Sequence, residues 1–223
     1  PEVSIFTLED PVEYRLNLIR QTQINERVGM TFNVGLRALL RQDPEIILVG
    51  ETRDQETAEL MIRAALTGHM VFTTLHTNDA AGCIPRLIDM GVDPYLLPSC
   101  LQGALAQRLA RKICKNCKEE EPRPEQVFDA LNVTAPSGKP LRLWRGAGCD
   151  QCRNTGYKGR IGIHEFMAFD ERFYEPICNQ AESSVYVALA KEKGFKTMFE
   201  DGVIKALDGH TDLKEVLRCT QDH

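Results

Sequence analysis

Apolar residues near the start of the chain alternate between strand-like and helix-like spacing. Residues 3–8, 45–49 and 70–75 are short, mostly apolar runs, and each predicts a strand. Between these runs, apolar positions recur three and four residues apart, which predicts helices over 33–42 and 54–66. Helices that alternate with buried strands indicate an α/β fold with a mostly parallel sheet.

The spacing stays helical after the third strand and becomes helical again towards the C-terminus. A glycine turn separates two helices predicted over 79–90 and 94–110. Asp54 is placed to cap the second predicted helix, and Asp212 and Glu215 have capping-box spacing. The C-terminal helices are predicted over residues 171–178, 183–193, 198–207 and 212–218.

The alternation breaks down at Lys112. From there, cysteines, a run of charged residues and several prolines replace the regular spacing, which predicts a small module inserted into the fold. We therefore expect three parts. These are a sheet-containing core over residues 1–111, a cysteine-rich module over 112–160 and a helical subdomain over 161–223.

Composition narrows the class of protein. With 43% hydrophobic and 26% charged residues and a formal net charge of -5, the chain has the make-up of a soluble globular protein. No apolar run approaches the roughly 20 residues that cross a bilayer, and no charged-then-apolar leader opens the chain. The acidic balance argues against a dedicated nucleic-acid binder, which needs a basic surface to replace counterions on phosphate. We therefore expect no nucleic-acid partner.

Acidic side chains follow two of the predicted strands. Glu51 comes just after the apolar run at 45–49, and Glu9 comes just after the first strand. The carboxyl ends of parallel strands share one edge of a sheet, where open α/β folds bind ligands. Two carboxylates there can orient an attacking water and hold Mg²⁺, as at a Walker B element. The alternatives are an ordinary strand with a surface glutamate and, at Glu9, a simple turn before Pro11.

Basic side chains and a histidine follow the same strands. His76 comes after the third strand, where a neutral imidazole can hydrogen-bond a terminal phosphate. Arg37 and Arg41 are four residues apart, so a helix puts both on one face, and Arg53 follows the second strand. Arg160, near two glycines, can reach a nucleotide or form a salt bridge. Arginine suits phosphate because its planar fork binds two oxygens. The alternatives are a structural role for His76 and, for Arg37 and Arg41, a solvated helix face.

Four of the eight cysteines form two Cys-x-x-Cys pairs. In a chain without a leader this spacing favours metal binding over disulfides. Four thiolates suit tetrahedral Zn²⁺ and leave no open position for catalysis, so we expect a structural zinc site. A redox dithiol pair is the alternative. The predicted ligands are Cys114, Cys117, Cys149 and Cys152.

Three longer segments resemble motifs of a known family. The segment TLEDPVE at 7–13 resembles the Asp box of secretion ATPases. The segment LRALLRQDPEIILVGE at 36–51 resembles their Walker B element, and TGHMVFTTLHTNDA at 67–80 resembles their His box. The three segments follow one another in the family's order. These ATPases serve type II secretion and type IV pilus assembly, and the resemblance runs from about Ser4 to the end of the chain. It implies a RecA-like core that assembles into a homo-hexameric ring and converts ATP hydrolysis into mechanical work.

The resemblance also implies roles for individual residues. Glu9 and Glu51 match the acidic residues that handle Mg²⁺ and activate water, and His76 matches the His-box residue near the terminal phosphate. The resemblance to ATPases implies ATP and Mg²⁺ as cofactors. The cysteine module matches one that assembly ATPases of the family commonly carry, and it implies Zn²⁺. Four further residues match family arginines that contact the nucleotide or lie at the subunit boundary. These are Arg37, Arg41, Arg53 and Arg160.

The implied setting is the cytoplasmic face of the inner membrane. By the resemblance, the protein is attached there peripherally, through an inner-membrane platform protein and the assembly factors of the pilus or secretion machinery.

One motif of the family is missing. No G-x-x-x-x-G-K-[S/T] phosphate loop occurs in the sequence, although in this family it comes shortly before the Asp box. Because the first residues already have strand-like spacing, we expect the numbering to begin partway through a longer protein. The chain alone should then bind ATP poorly. The competing hypothesis is a zinc-stabilised scaffolding module without ATPase activity.

Overall fold

The computed structural model describes residues 3–134 and 141–220, and the following elements belong to this part of the chain. The strands are β1 (Ile5–Glu9), β2 (Arg20–Gln23), β3 (Ile46–Val49), β4 (Met70–Thr73), β5 (Gly103–Ile113), β6 (Lys118–Glu120), β7 (Trp144–Gly146) and β8 (Tyr157–Ala168). The α-helices are α1 (Phe32–Leu39), α2 (Gln55–Leu66), α3 (Cys83–Asp89), α4 (Leu97–Cys100), α5 (Pro124–Ala130), α6 (Tyr174–Cys178), α7 (Ser183–Lys191), α8 (Met198–Leu207) and α9 (Leu213–Thr220). Short 3₁₀ turns cover Glu26–Val28, Asp150–Cys152 and Glu171–Phe173.

The chain divides into two compact units. Within the described residues, unit 1 comprises 3–77, 81–103 and 168–189. Unit 2 comprises 78–80, 104–134, 141–167 and 190–220. The division into three parts made from the sequence stays a prediction.

Unit 1 is built on a parallel sheet with the strand order β2-β1-β3-β4. Leu8 of β1 lies beside Val49 of β3, which lies beside Thr73 of β4. The predicted α/β fold with a mostly parallel sheet is confirmed. Because the three strands end in register, the residues that follow them lie along one edge of the sheet.

The strands of unit 1 are fixed by an apolar core shared with α1 and α2. Leu8, Leu36, Ile47 and Met61 belong to this core and are almost completely buried. Burial of such a side chain stabilises a fold by about 1.5–3 kcal/mol. Gly35 lets α1 approach β1 closely, since a Cβ there would lie 2.8 Å from a methyl carbon of Leu8. The residue just before Glu9 is therefore held by tight packing.

The helix predicted over 94–110 is wrong for most of its length. Only Leu97–Cys100 is helical, and β5 then pairs with β8 in a two-stranded sheet. Alanine, leucine, glutamine and arginine favour helices in isolation. In β5, however, every second residue from Leu105 to Arg111 is exposed, which is the period of a strand. Pairing with β8 therefore overrides the local helix propensity.

The helices predicted after residue 166 are confirmed, with small shifts in their bounds. At α8, Thr197 and Glu200 form a capping box. At α9, Asp212 accepts a hydrogen bond from the Glu215 N–H at 2.9 Å, but the Glu215 side chain binds arginines instead of completing the predicted box. Within the described residues, no helix is both long and apolar enough to cross a membrane.

Candidate nucleotide site and cysteine cluster

Three strands of unit 1 deliver polar side chains to one edge of its sheet. β1 ends at Glu9, while Glu51 and His76 lie two and three residues beyond the ends of β3 and β4. The Gly50 N–H donates to the Leu8 carbonyl at 2.7 Å, so the pairing of β1 with β3 continues to the residue before Glu51. Glu9 and Glu51 therefore lie on neighbouring strands at the same edge.

Glu51 is held by two basic side chains. Arg53 reaches both carboxylate oxygens, with Nε 2.6 Å from Oε2 and an Nη 2.5 Å from Oε1, which is the bidentate geometry of a strong pair. The Nε2 atom of His76 lies 3.4 Å from Oε2. The Glu51 side chain is only 14% exposed, whereas that of His76 is 79% exposed. The His76 imidazole and the Arg53 guanidinium, whose side chain is 62% exposed, are therefore the parts of this group that a ligand can meet from solvent.

Threonines connect the ends of β3 and β4. The Thr74 hydroxyl donates to the Gly50 carbonyl at 2.7 Å, and the Thr52 N–H donates to the Thr74 carbonyl at 3.1 Å. The hydroxyl oxygens of Thr52 and Thr73 are 2.8 Å apart, and Thr52 is buried. These bonds tie the segment before His76 to the segment around Glu51.

Glu9 is held by neutral donors. Its Oε1 accepts hydrogen bonds from the Thr7 hydroxyl at 2.5 Å and from the Gln21 amide at 2.9 Å. Sequence reasoning missed both partners. Thr7 is the middle of a strand and carries no signal of its own, and Gln21 lies on β2, whose sequence RQTQ has no apolar alternation to predict a strand.

The prediction that Arg37 and Arg41 share a helix face is wrong. The helix α1 ends at Leu39, so Arg41 lies in the turn after it. The turn continues through Asp43, which has a φ of 53°, to Pro44, and proline disfavours helix in the residue before it. Arg37 remains on α1, where it donates to Glu56 at 2.7 Å.

Arg160 lies in unit 2, on β8, and is exposed. The preceding Gly159 has a φ of 83°, a conformation that favours glycine. The predicted role of Arg160 at the nucleotide stays a prediction.

The two Cys-x-x-Cys pairs form one cluster in unit 2. The sulfur of Cys149 lies 3.9 Å from that of Cys114 and 3.7 Å from that of Cys152, which lies 3.8 Å from that of Cys117. All four sulfurs are within 4.8 Å of one another. In a tetrahedral site with Zn–S bonds of about 2.3 Å, the sulfurs are about 3.8 Å apart. The donor set and its spacing therefore fit a tetrahedral metal ion.

N–H donors surround the sulfurs of the cluster. The backbone N–H groups of Cys149 and Gly156 donate to Cys152 at 3.3 Å, and the Asn116 amide donates to Cys149 at 3.4 Å. Burial raises the pKa of Cys117 to about 12. At Cys152 burial acts in the same direction, but the N–H donors outweigh it and lower the pKa to about 6. Such donors favour the thiolate, which is the form that binds metal.

A family model described as type II/IV secretion system protein matches residues 1–218. The chain belongs to this family. The type IV pilus assembly ATPase PilB of Thermus thermophilus is 47% identical over 220 residues, and the type II secretion system protein E of Aeromonas hydrophila is 46% identical over 219 residues. The alignments cover 99% and 98% of the chain but only 25% and 43% of the two relatives. The chain thus spans less than half the length of either relative.

A solved structure shares the fold of this type II/IV secretion system protein. The crystal structure of the pilus retraction motor PilT with bound ADP aligns over 99% of this chain and 53% of that chain, with a TM-score of 0.69 and 28% sequence identity. The likeness agrees with the α/β architecture derived from the strand order.

The sheet edge of this family member combines chemical groups that suit a metal-bound phosphate. Glu9 and Glu51 supply carboxylate oxygens, which Mg²⁺ prefers as ligands. Arg53 and His76 supply N–H groups, which bind phosphate oxygens. Glu9 lies on β1, and hydrogen bonds between Thr74 and Gly50 and between Thr52 and Thr74 tie together the segments that carry the other three side chains.

Proposed function

We propose that this chain is part of a motor ATPase that hydrolyses ATP to power type IV pilus assembly or type II protein secretion, and that it supplies carboxylates, arginines and a histidine to the ATP site. The observation that carries the proposal is the edge of the unit 1 sheet, where Glu9 ends β1, Glu51 follows the neighbouring strand β3 and His76 contacts Glu51. The names of the relatives support it. The pilus assembly ATPase and the secretion system protein have almost the same sequence identity to the chain, so the comparison supports both machineries equally.

The two carboxylates share the work on Mg²⁺ and on the attacking water. Bound Mg²⁺ neutralises charge on the phosphates of ATP. Glu9 and Glu51 would hold the ion, and the carboxylate that faces the terminal phosphate would take a proton from the attacking water as general base. His76, at the exposed end of the group, hydrogen-bonds the terminal phosphate. Arg53 places positive charge beside these groups.

The remaining arginines act at the nucleotide or at a boundary between subunits. Arg37, Arg41 and Arg160 are exposed, so a phosphate or a neighbouring subunit can reach them. We assign the protein to a homo-hexameric ring at the cytoplasmic face of the inner membrane, attached through a platform protein and assembly factors. Membership of the type II/IV secretion family supports this assignment.

The cysteine cluster holds a structural Zn²⁺ ion in this proposal. The sulfur spacing and the N–H donors support it. Four thiolates fill a tetrahedral site, so the ion takes no part in hydrolysis. Its role is to fix the loops that carry the two Cys-x-x-Cys pairs, because metal binding supplies folding free energy to such modules.

The substitution Glu51→Gln in the full-length gene product tests the motor function. Loss of the carboxylate should lower ATP turnover by about 10²- to 10⁴-fold, the range that a general base contributes. Nucleotide affinity should change little, because the amide keeps the shape of the side chain. Steady-state phosphate release and binding of a fluorescent ATP analogue measure the two quantities.

A matched control separates catalysis from general damage. Glu59 lies on α2, where it forms an exposed ion pair with Arg63 at 3.7 Å. Glu59→Gln should therefore leave turnover unchanged. Undiminished turnover in Glu51→Gln would remove Glu51 from the mechanism. A full-length protein that folds but never hydrolyses ATP would instead favour the scaffolding module.

A further inference from the structure

Gln21 is a polar side chain of β2 with no part in the chemistry described so far. In the parallel pairing of β1 with β2, Gln21 lies opposite Thr7, and Gln23 lies opposite Glu9. Side chains two residues apart on a strand point to the same face of a sheet. Thr7, Glu9 and Gln21 therefore share one face, and Gln21 flanks the Glu9 carboxylate from the neighbouring strand.

The Gln21 amide uses both of its donors and its acceptor. Nε2 donates to Oε1 of Glu9 at 2.9 Å and to the Tyr14 carbonyl at 3.0 Å, while Oε1 accepts from the Leu16 N–H at 2.7 Å. An ionised carboxylate and a carbonyl only accept, and a backbone N–H only donates. A single orientation of the amide therefore satisfies all three neighbours, and the side chain is fixed in it.

These bonds determine the direction of the Glu9 carboxylate. Its Oε1 receives both the Gln21 amide and the Thr7 hydroxyl. When one oxygen of a carboxylate is fixed by donors from two strands, the second oxygen points in a defined direction. A general base or a metal-shell ligand needs such a fixed direction, because a misplacement of about 1 Å can cost about 10²-fold in rate.

The same amide also connects Glu9 to a loop with little packing of its own. Tyr14 is 80% exposed and Leu16 is 53% exposed. A segment with few buried contacts opens easily unless hydrogen bonds hold it. The two hydrogen bonds between Gln21 and the backbone of this loop therefore couple the position of the loop to the position of the Glu9 carboxylate.

We propose that Gln21 is a positioning residue for Glu9, which fixes the carboxylate for its work on water and Mg²⁺ and links it to the loop at residues 14–16. The inference rests on the proposed function, because it requires that Glu9 take part in hydrolysis.

Substitutions of Gln21 in the full-length gene product test this role by steady-state ATP hydrolysis. Gln21→Ala should lower kcat by about 10- to 100-fold, as loss of a residue that orients a metal or water ligand does, with little change in KM for ATP. Gln21→Glu keeps the size of the side chain but turns an acceptor towards Glu9, so it should not restore kcat. A change in KM without a change in kcat, or wild-type values of both in Gln21→Ala, would overturn the proposal.

Gln23→Ala is the matched control. Gln23 lies on the same strand and accepts a hydrogen bond from the Val12 N–H at 3.4 Å. The control therefore removes a side chain of the same type, which also contacts the connection between β1 and β2, but it leaves the bonds from Gln21 to Glu9 in place. Its kcat should stay within about twofold of wild type, since the directional bonds that set the rate are unchanged. An equal loss in both variants would assign the effect to the fold and overturn the proposal.

A double-mutant cycle with Glu9→Gln isolates the path through the carboxylate. Because the residual turnover of Glu9→Gln no longer uses a carboxylate at residue 9, adding Gln21→Ala should cause no further loss. An undiminished effect of Gln21→Ala in that background would overturn the positioning role while the proposed function stands. Wild-type turnover in Glu9→Gln alone would instead contradict the proposed function, and the inference with it.

Discussion

Glu215 is a buried carboxylate that holds two arginines. It is 1% exposed, and it accepts hydrogen bonds from the Arg111 guanidinium at 2.7 Å and the Arg111 backbone N–H at 2.9 Å. The Arg218 guanidinium adds bonds of 2.6 and 2.8 Å. Burial alone would raise the pKa of Glu215, but these donors outweigh it and lower the pKa from 4.5 to about 2. The ionised carboxylate therefore stabilises unit 2.

The substitution Glu215→Gln should lower the free energy of unfolding at neutral pH by about 1–3 kcal/mol, because buried donors lose an ionised acceptor. The pKa of Glu215 is lower in the folded chain, so its contribution is complete above pH 4.5 and is lost as the pH falls towards 2. The difference between wild type and variant should shrink over that range.

Denaturant unfolding of the purified chain at several pH values measures this difference. Glu119→Gln is the control, because Glu119 forms an exposed ion pair with Arg145 that should contribute less than about 1 kcal/mol. A gap between wild type and Glu215→Gln that stays constant across the acid range would contradict the assigned pKa.

At the scale of the element, the sequence predicts what local chemistry determines. The position of α2 follows from its cap and its apolar spacing, and Asp54 is its N-cap as predicted. The strands β1, β3 and β4 follow from their apolar runs. β2 could not be predicted because it is polar, and β5 was predicted as a helix because its residues favour helices until β8 pairs with them. Tertiary pairing carries no local signal.

The cap of α2 gives a prediction at this scale. Asp54 accepts hydrogen bonds from the Thr57 N–H and the Thr57 hydroxyl, both at 2.9 Å. Asp54→Ala should lower the free energy of unfolding by about 1 kcal/mol, and Asp54→Ser should restore most of it. Asp89→Ala is the matched control. It removes an exposed acid from the last turn of α3, where the helix dipole disfavours negative charge. An equal loss in both alanine variants would contradict the capping role.

At the scale of the whole molecule, the metal proposal concerns the integrity of unit 2. The purified chain should contain one Zn²⁺ ion per molecule by elemental analysis, because the sulfurs of the cluster form one site. Cys114→Ser should lose the ion and lower the stability of the chain. Cys178→Ser should keep it, since Cys178 lies outside the cluster. A folded, metal-free wild-type chain, or a disulfide between Cys114 and Cys149, would contradict the zinc site.

The residues of the candidate site were easier to predict than their arrangement. Glu9, Glu51 and His76 stand out because polar residues follow apolar strands. Their partners were not visible in the sequence, since the contact of Gln21 with Glu9 depends on strand order, which no local pattern encodes. The cysteine ligands were visible because the Cys-x-x-Cys spacing is local.

The central claim is that Glu9, Glu51 and His76 meet one triphosphate at the edge of the parallel sheet. A structure of the full-length gene product with Mg²⁺ and a non-hydrolysable ATP analogue tests it most directly. We expect both carboxylates to face the ion and its waters, and the imidazole to face the terminal phosphate. A triphosphate bound away from this edge, with the three side chains facing other parts of the protein, would contradict the account.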